Sequence, residues 1–392
     1  MRGFGDTAIA GIGATEFSKG SGRSEMRLAL DAIMAALRDA GLSPDDVDGL
    51  VTYVMDNSPQ SEVARNLGLA NVTFMSQTPF GGGGCCAVVQ HACMAVMAGV
   101  AKTVVCYRAL NGRSGAHRYG AGRPAAATPA ATSDEVHWGW YRPHGLVSPP
   151  AYAAIVAKRY MQDYGATSAD FGQVSVLARA HAATNPKAWF YRRPITLEDH
   201  QQSRLIADPL RLLDCCQETD GAVAIVVTSV ARARDLRRTP VVVQAAAQGM
   251  GPDQEVISSF YRPRITGSPE MAGVGSQLWR QSGLRPEDMD ALILYDHFTP
   301  YVLIQLEELG FCGLGEAPAL VASGALALGG RWPLNPHGGL LAEAYIQGLN
   351  GIAEAVRQLR GDAANQIADP RHILVAADAG VPTSGLILGL AA

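Results

Sequence analysis

Two distant stretches of this chain repeat each other almost position for position. Gly41-Leu42-Ser43-Pro44-Asp45-Asp46-Val47-Asp48-Gly49-Leu50-Val51 returns as Gly283-Leu284-Arg285-Pro286-Glu287-Asp288-Met289-Asp290-Ala291-Leu292-Ile293. Self-similarity on this scale means that one supersecondary unit is used twice. Each copy follows an amphipathic helix, Met26–Ala40 or Glu270–Ser282, that stops at a C-cap-like glycine and then runs into an apolar strand. A strand-like segment precedes each helix, Thr7–Ile12 and Val241–Ala247, and a glycine-rich turn follows each copy, Gly81-Gly82-Gly83-Gly84 and Gly338-Gly339. These turns predict long helices near Cys85–Gly99 and Leu340–Leu359, which lead into strands at Thr103–Arg108 and His372–Ala377. The pattern is α/β and duplicated, with a pair of central helices.

Between Asn111 and Arg204 lies an excursion rich in Pro and aromatic residues, with one helix expected around Ala151–Tyr164. Its length argues for a loop domain over a cleft. The segment Gly221–Ser229 returns as a buried strand. The implied division is residues 1–110 with 205–230 as an N-terminal half, 111–204 as an inserted loop domain, and 231–392 as a C-terminal half.

Composition narrows the function class. With 392 residues, 48% of them hydrophobic, the chain has material for a large core. A net charge of −4 gives no global field for a polyanion, so nucleic acid is not expected. No run of about 18 apolar residues occurs, which argues against a membrane span. The odd count of 7 Cys, set in apolar surroundings, fits reduced thiols and a cytoplasmic location.

Several familiar chemistries find no support. Gly11-Ile12-Gly13 begins a dinucleotide-type motif, but Glu16 stands where its third glycine belongs. The histidines lack metal-ligand spacing, so no metal site is expected. Lys19, Lys102, Lys158 and Lys187 sit in no apolar pocket sequence suited to Schiff-base chemistry.

Three clusters remain. Cys85 and Cys86 open a helix after four glycines, where a thiol is either activated by the helix N-terminus or simply packed; local sequence leaves both open. Gly82, Gly83 and Gly84 permit close backbone approach to a thioester carbonyl. An apolar strand at Ala291–Tyr295 delivers Tyr295-Asp296-His297-Phe298 at its carboxyl end, where open α/β sheets place functional groups. Asn335-Pro336-His337-Gly338-Gly339, followed by Glu343-Ala344-Tyr345, puts a further polar group at a helix start.

These segments carry a family resemblance. IAGIGATEFSK at the start, DCCQETDGAVAIVVTS (214–229), NPHGGLLAEAYIQGLNGIAEAVRQLRG (335–361) and AGVPTSGLILG (379–389) resemble thiolase-superfamily proteins of the sterol-carrier type. More narrowly, they resemble the lipid-transfer-protein-like aldolases of steroid side-chain breakdown. The resemblance implies a thiolase fold: two βαβαβαββ halves in a five-layered core with an inserted loop domain.

It also exposes departures. The thiolase nucleophile position falls at or near Gly82; Ala344-Tyr345-Ile346 replaces Gly-His-Pro; Tyr295-Asp296-His297-Phe298 replaces His-Asp-Cys-Phe; and Asp378-Ala379-Gly380 stands where a second cysteine is found. Two tyrosines take the histidine slots. The expectation is a retro-aldolase that cleaves a 17-hydroxy steroid C22-acyl-CoA to a 17-keto steroid and propionyl-CoA. Tyr295 and Tyr345 would be acid and base in an undetermined order, with Asp296, His297 or His337 as orienters. Gly82, Gly83, Gly84, Gly338 and Gly339 would line the acyl-CoA. CoA belongs to the substrate, and no other cofactor is expected. Trp138, Trp140, Trp189, Arg192 and Arg193 of the insertion are candidates for the CoA or steroid surface. The resemblance further implies a homodimer joined to a small zinc-ribbon/OB-fold domain of an enoyl-CoA hydratase subunit. A cysteine-dependent acyltransferase and an inactive acyl-CoA-binding scaffold are the competing readings.

Overall fold

The computed structural model describes residues 3–79, 81–115, 139–255, 259–378 and 382–391. The repeated unit is visible in atomic detail. Helix α1 (Glu25–Ala40) starts where the Ser24 side chain accepts from the Arg27 amide, and it ends at Gly41 with φ 75°. Its counterpart Pro269–Ser282 starts where Ser268 accepts from Met271 N and ends at Gly283 with φ 72°. Each echo then forms one 3-10 turn, Pro44–Asp46 or Pro286–Asp288. The third acidic residue of each echo does the same work. Asp48 accepts from the amides of Lys102 and Thr103, and Asp290 from those of Arg371 and His372.

Strands β1 (Thr7–Ala14), β2 (Gly49–Tyr53), β3 (Phe74–Thr78), β4 (Thr103–Asn111) and β7 (Asp220–Ser229) form the first half-sheet. Strands β8 (Val241–Gly249), β9 (Ala291–Leu294), β10 (His372–Ala377) and β11 (Thr383–Leu390) form the second, and β5 (Leu205–Ala207) with β6 (Leu210–Arg211) makes a small ribbon. The order is β3-β2-β4-β7-β1-β8-β11-β10-β9. About the β1–β8 junction it is a mirrored arrangement: β2 and β4 are parallel like β9 and β10, and β1 and β7 are antiparallel like β8 and β11. Where the first half has β3, the second has an isolated parallel bridge between Leu292 and Leu334.

The remaining helices are α2 (Gln60–Leu67), α3 (Cys85–Met97), α4 (Pro149–Tyr164), α5 (Ser168–Thr184), α6 (Leu197–Gln202), α7 (Val230–Ala233), α8 (Pro269–Ser282), α9 (Thr299–Glu308), α10 (Ala317–Ala322), α11 (Gly339–Ala342) and α12 (Leu349–Arg360). Helices α3 and α12 touch strands of both halves, whereas α1 covers the outer face of the first half and α8 that of the second. The succession of layers is therefore helix, sheet, helix, sheet, helix: the α/β thiolase arrangement. One apolar cluster fills the central layer around Val88, Val89, Ile352 and Val356, and two others sit beneath the outer helices. Gly11 and Gly13 serve this packing. A Cβ on either would overlap the α1 backbone at Ala36 or Ala32, so the glycines let α1 lie directly on β1 and belong to no nucleotide site.

Two expectations need correction. The insertion holds three described helices, α4, α5 and α6, instead of one. Helix α5 buries Phe171, Gly172, Val174, Ser175, Ala178, Arg179, His181 and Ala182, a set too mixed in polarity to show a single apolar stripe in sequence. The helix expected over Leu340–Leu359 is two helices, α11 and α12, separated by residues 343–348. Gln347 (φ 47°) and Gly348 (φ 88°) break it in the left-handed region.

Candidate active site

The interruption between α11 and α12 places Tyr345 outside any helix, with its amide held by the Thr219 hydroxyl at 3.2 Å. Tyr295 follows the last residue of β9. Its amide donates to Ala376 O of β10 at 3.0 Å, and its carbonyl accepts from the Gln305 side chain. The two phenols meet. Tyr295 donates from its hydroxyl to that of Tyr345 at 2.9 Å, with the rings edge to face and 6.3 Å apart. Both side chains are buried.

The glycine turn explains why they fit. A Cβ built on Gly82 would overlap the Tyr295 hydroxyl, so this phenol fills the space that a side chain at 82 would claim. A Cβ on Gly348 would come 2.7 Å from Cys85 Sγ and 3.3 Å from the Tyr295 ring. Burial, then the neighbouring Tyr345 and the Cys216 and Cys85 thiols, pushes the Tyr295 pKa well above its ordinary value. Tyr295 therefore keeps its proton and presents it to Tyr345.

The other expected residues divide sharply. The Asp296 carboxylate accepts from Leu340 N at 2.7 Å and Leu341 N at 3.3 Å, which anchors the start of α11; burial raises its pKa to about 7 against the opposing effect of those amides. It orients α11 and no phenol. His297 packs its ring 5.1 Å from that of Tyr295 and 4.6 Å from that of Tyr301; both its nitrogens lack hydrogen-bond partners, and burial drives its pKa down to about 3. It supplies no cation to the tyrosines and no hydrogen bond to either phenol. His337 is likewise pushed to about 3 by burial, then by Arg357 and His181. Its Nε2 lies 3.8 Å from Glu343 Oε2.

Among the glycines, the Gly84 amide is used by the turn itself, donating to Gly81 O at 3.0 Å. Gly338 and Gly339 are corrected to packing positions. A Cβ on Gly338 would meet Ala182 at 2.6 Å, and one on Gly339 would overlap the Asp296 carboxylate. Cys86 is a core residue too: burial lifts its pKa well above the usual thiol range, and its amide goes to Ser384 Oγ. Cys85 is equally buried. Neither is solvent-reachable, as an activated nucleophile is.

Sequence reasoning missed the residues that set the interruption. Glu343 is fully buried with its pKa raised to about 7 by desolvation; it accepts from Asn350 Nδ2 at 2.9 Å and Asn185 Nδ2 at 3.3 Å. The insertion closes over the same segment, with Trp189 N donating to Glu343 O and Phe190 N to Ala342 O. The Trp189 ring lies 5.4 Å from both Lys19 Nζ and the Arg193 guanidinium, Arg192 covers Tyr191, and Trp140 is exposed; Trp138 lies outside the described residues. A separate surface cleft of about 620 Å³ runs along α1, lined by Arg23, Arg27, Asp31 and Arg38 among others, and shares no residue with the tyrosine pair.

This geometry coincides with clear relationships to known proteins. The thiolase C-terminal domain-like family matches residues 253–390. The chain is 62% identical over 385 residues to the 17-hydroxy-3-oxo-4-pregnene-20-carboxyl-CoA lyase of Mycobacterium tuberculosis, covering 98% of this chain and 99% of that protein. It is 59% identical over 385 residues to the steroid side-chain-cleaving aldolase of Thermomonospora curvata, covering 98% of each. The solved Ltp2-ChsH2(DUF35) aldolase superposes with a TM-score of 0.93 at 57% identity, covering 98% of each chain.

Proposed function

The chain belongs to the steroid side-chain-cleaving aldolases of thiolase fold, and from that premise we propose that it is a carbon–carbon lyase acting on a 17-hydroxy steroid C22-acyl-CoA of the 17-hydroxy-3-oxo-4-pregnene-20-carboxyl-CoA type. The observation that carries the chemical reading is the 2.9 Å hydrogen bond between two buried phenols, set over the bare Cα of Gly82. Retro-aldol cleavage needs a base for the hydroxyl proton, donors for the enolate oxygen and an acid for the α-carbon; it needs no attacking sulfur.

In this reading the shared hydrogen bond works as a relay: Tyr345 takes the 17-hydroxyl proton as it passes its own phenolic proton to Tyr295, so both phenols are neutral before and after turnover. The C17–C20 bond breaks, leaving a ketone at C17, and the electron pair moves onto C20 and the thioester oxygen, which the Gly82 and Gly83 backbone steadies. Tyr295 gives its proton to C20 and recovers one from Tyr345 along the shared hydrogen bond. The products are a 17-keto steroid and propionyl-CoA, and no proton is consumed. The route draws on no resident cofactor, CoA being part of the substrate. Buried cysteines with a raised Cys86 pKa weigh against the acyltransferase alternative.

The likeness to the Ltp2-ChsH2(DUF35) aldolase supports a heteromeric assembly, with a small zinc-ribbon/OB-fold domain of an enoyl-CoA hydratase subunit as the partner. A homodimer is part of the same proposal, supported by β3, which ends the sheet and exposes Met75. No helix of the described residues is long and apolar enough to cross a membrane, in keeping with the proposed cytoplasmic location. The insertion around Trp189 and Arg193, seated on the Tyr345 segment, is proposed to contribute to the CoA or steroid surface.

Incubation of the chain, alone and with a DUF35 partner, with a 17-hydroxy steroid C22-CoA ester tests the reading. Ketone and propionyl-CoA are expected in equal amounts; absence of both under every partner condition favours the inactive scaffold. Tyr295→Phe and Tyr345→Phe are each expected to lower kcat by roughly 10²- to 10⁴-fold with unchanged thermal midpoints, the range typical of losing a general acid or base. Full activity in either removes that tyrosine from the chemistry.

A further inference from the structure

We infer that Gln347 is a positioning residue that holds Tyr345 in register with Tyr295, and that the buried Arg108–Asp56 ion pair holds Gln347 in turn. The inference rests on the tyrosine-pair reading and adds to it the part of the molecule that fixes the pair's geometry.

Residues 343–348 have no helix to hold them, so their position is decided by side-chain anchors. Gln347 stands two residues after Tyr345 and immediately before Gly348, whose Cα packs against Cys85 and Tyr295. It adopts φ 47°, a conformation that a side chain of this kind accepts only when its surroundings enforce it. Those surroundings come from the N-terminal half. Gln347 Oε1 accepts from Arg108 Nε at 2.5 Å, and the Gln347 carbonyl accepts from the Tyr53 hydroxyl at 3.2 Å. The Gln347 amide nitrogen lies so near the Gly81 Cα that any Cβ there would overlap it. Gln347 thus touches the turn that carries Gly82 as well as the segment that carries Tyr345.

Arg108 gives this anchor its rigidity. It sits on β4 with its side chain 1% exposed, and its NH1 lies 2.9 Å from Oδ2 of Asp56, itself 0% exposed. Asp56 also accepts from Ser58 N at 2.7 Å and Ala109 N at 3.1 Å. A buried guanidinium with a carboxylate held in this way has little freedom to move, and a planar donor fixes direction as well as distance. Both tyrosines belong to the second half of the duplicated fold, yet their pairing depends on the first: β9 places Tyr295, and β4 of the first half, through Arg108 and Gln347, places Tyr345. A displacement near 1 Å in a reacting group costs on the order of 10²-fold in rate, so this anchor acts on turnover rather than on substrate binding.

The test compares three variants of the full chain, assayed with its partner on the 17-hydroxy steroid C22-CoA ester. Gln347→Met keeps length and loses the acceptor; Gln347→Gly relieves the backbone conformation and loses the anchor; Gln347→Glu keeps the acceptor. The Met and Gly variants are expected to lose about 10- to 100-fold in kcat with KM within about threefold of the parent and little change in thermal midpoint. The Glu variant is expected to recover most of that loss. Parental kcat in the Met or Gly variant, or an equal loss in Glu and Met, overturns the inference. If Tyr345→Phe is inactive while Gln347→Met is fully active, only this inference fails; if Tyr345→Phe is itself active, the tyrosine-pair reading fails instead.

Discussion

At the scale of single residues the site is a set of buried titratable groups pulled in opposite directions. Burial raises Asp296 and Glu343 to about 7, from 3.8 and 4.5, and lowers His297 and His337 to about 3, from 6.5. A carboxyl that holds its proton more tightly when folded contributes stability that is present below its unfolded pKa and is lost as pH rises towards 7. An imidazole that holds its proton less tightly when folded contributes stability that is present above about 6.5 and is lost as pH falls towards 3. Between about pH 4.5 and 6.5 the two pairs oppose each other, so their combined slope is nearly flat. Single variants break the balance. Relative to the parent, Glu343→Gln should become more stable as pH rises through this window and His337→Gln less stable, each by up to about 1.4 kcal/mol per pH unit. Urea midpoints at three pH values measure this, and slopes of the same sign for both variants contradict it.

At the scale of elements, much was legible in the sequence because it was written as local signals. The helix ahead of each echo, the glycine caps and the strands that follow appear within a residue or two of expectation, since Ser24, Ser268, Gly41 and Gly283 act on their own neighbours. Tyr295 and Tyr345 stand out because their motif positions depart from the family pattern, and the structure brings their hydroxyls together. The interruption of the second central helix was not legible. Leu340–Leu359 reads as helix throughout, and the break is imposed from a distance by Glu343 with Asn185 and by Gln347 with Arg108. For the same reason the contacts of Asp296 and His297 were not legible: both follow from what packs against them. Gly348 shows how demanding the break is. Gly348→Ala should destabilise by roughly 1–3 kcal/mol, because it adds a clash with Cys85 to an unfavourable φ of 88°. Gly361→Ala, with φ 76° and open space around its Cβ, should cost about 1 kcal/mol. Equal losses at the two positions, read by chemical denaturation, count against a packed interruption.

At the scale of the whole molecule, both phenols come from the second half of the duplication, and the first half closes the site around them with Gly82 against Tyr295 and Arg108 against Gln347. Within each half a matched device ties neighbouring strands, Asp48 in the first and Asp290 in the second, each carboxylate receiving the amides at the start of a neighbouring strand. Replacing either by Ala should cost roughly 1–3 kcal/mol. Because the two sites share no partner, the double variant should show the sum to within about 0.5 kcal/mol; strong coupling indicates that the halves do not carry these ties independently. The insertion joins both halves at the site: His200 meets Asp214 at 2.8 Å, and Asp214 accepts from Thr299 at 2.7 Å at the head of α9. All of this converges on one chemical statement, that paired phenols move a proton from a hydroxyl to a carbanion. Turnover of the 17-hydroxy steroid C22-CoA ester in D₂O tests it most directly. The parent should release propionyl-CoA bearing one deuterium at its α-carbon, while Tyr295→Phe and Tyr345→Phe release little of it. Unlabelled propionyl-CoA from the parent, or undiminished labelled product from either variant, contradicts the account.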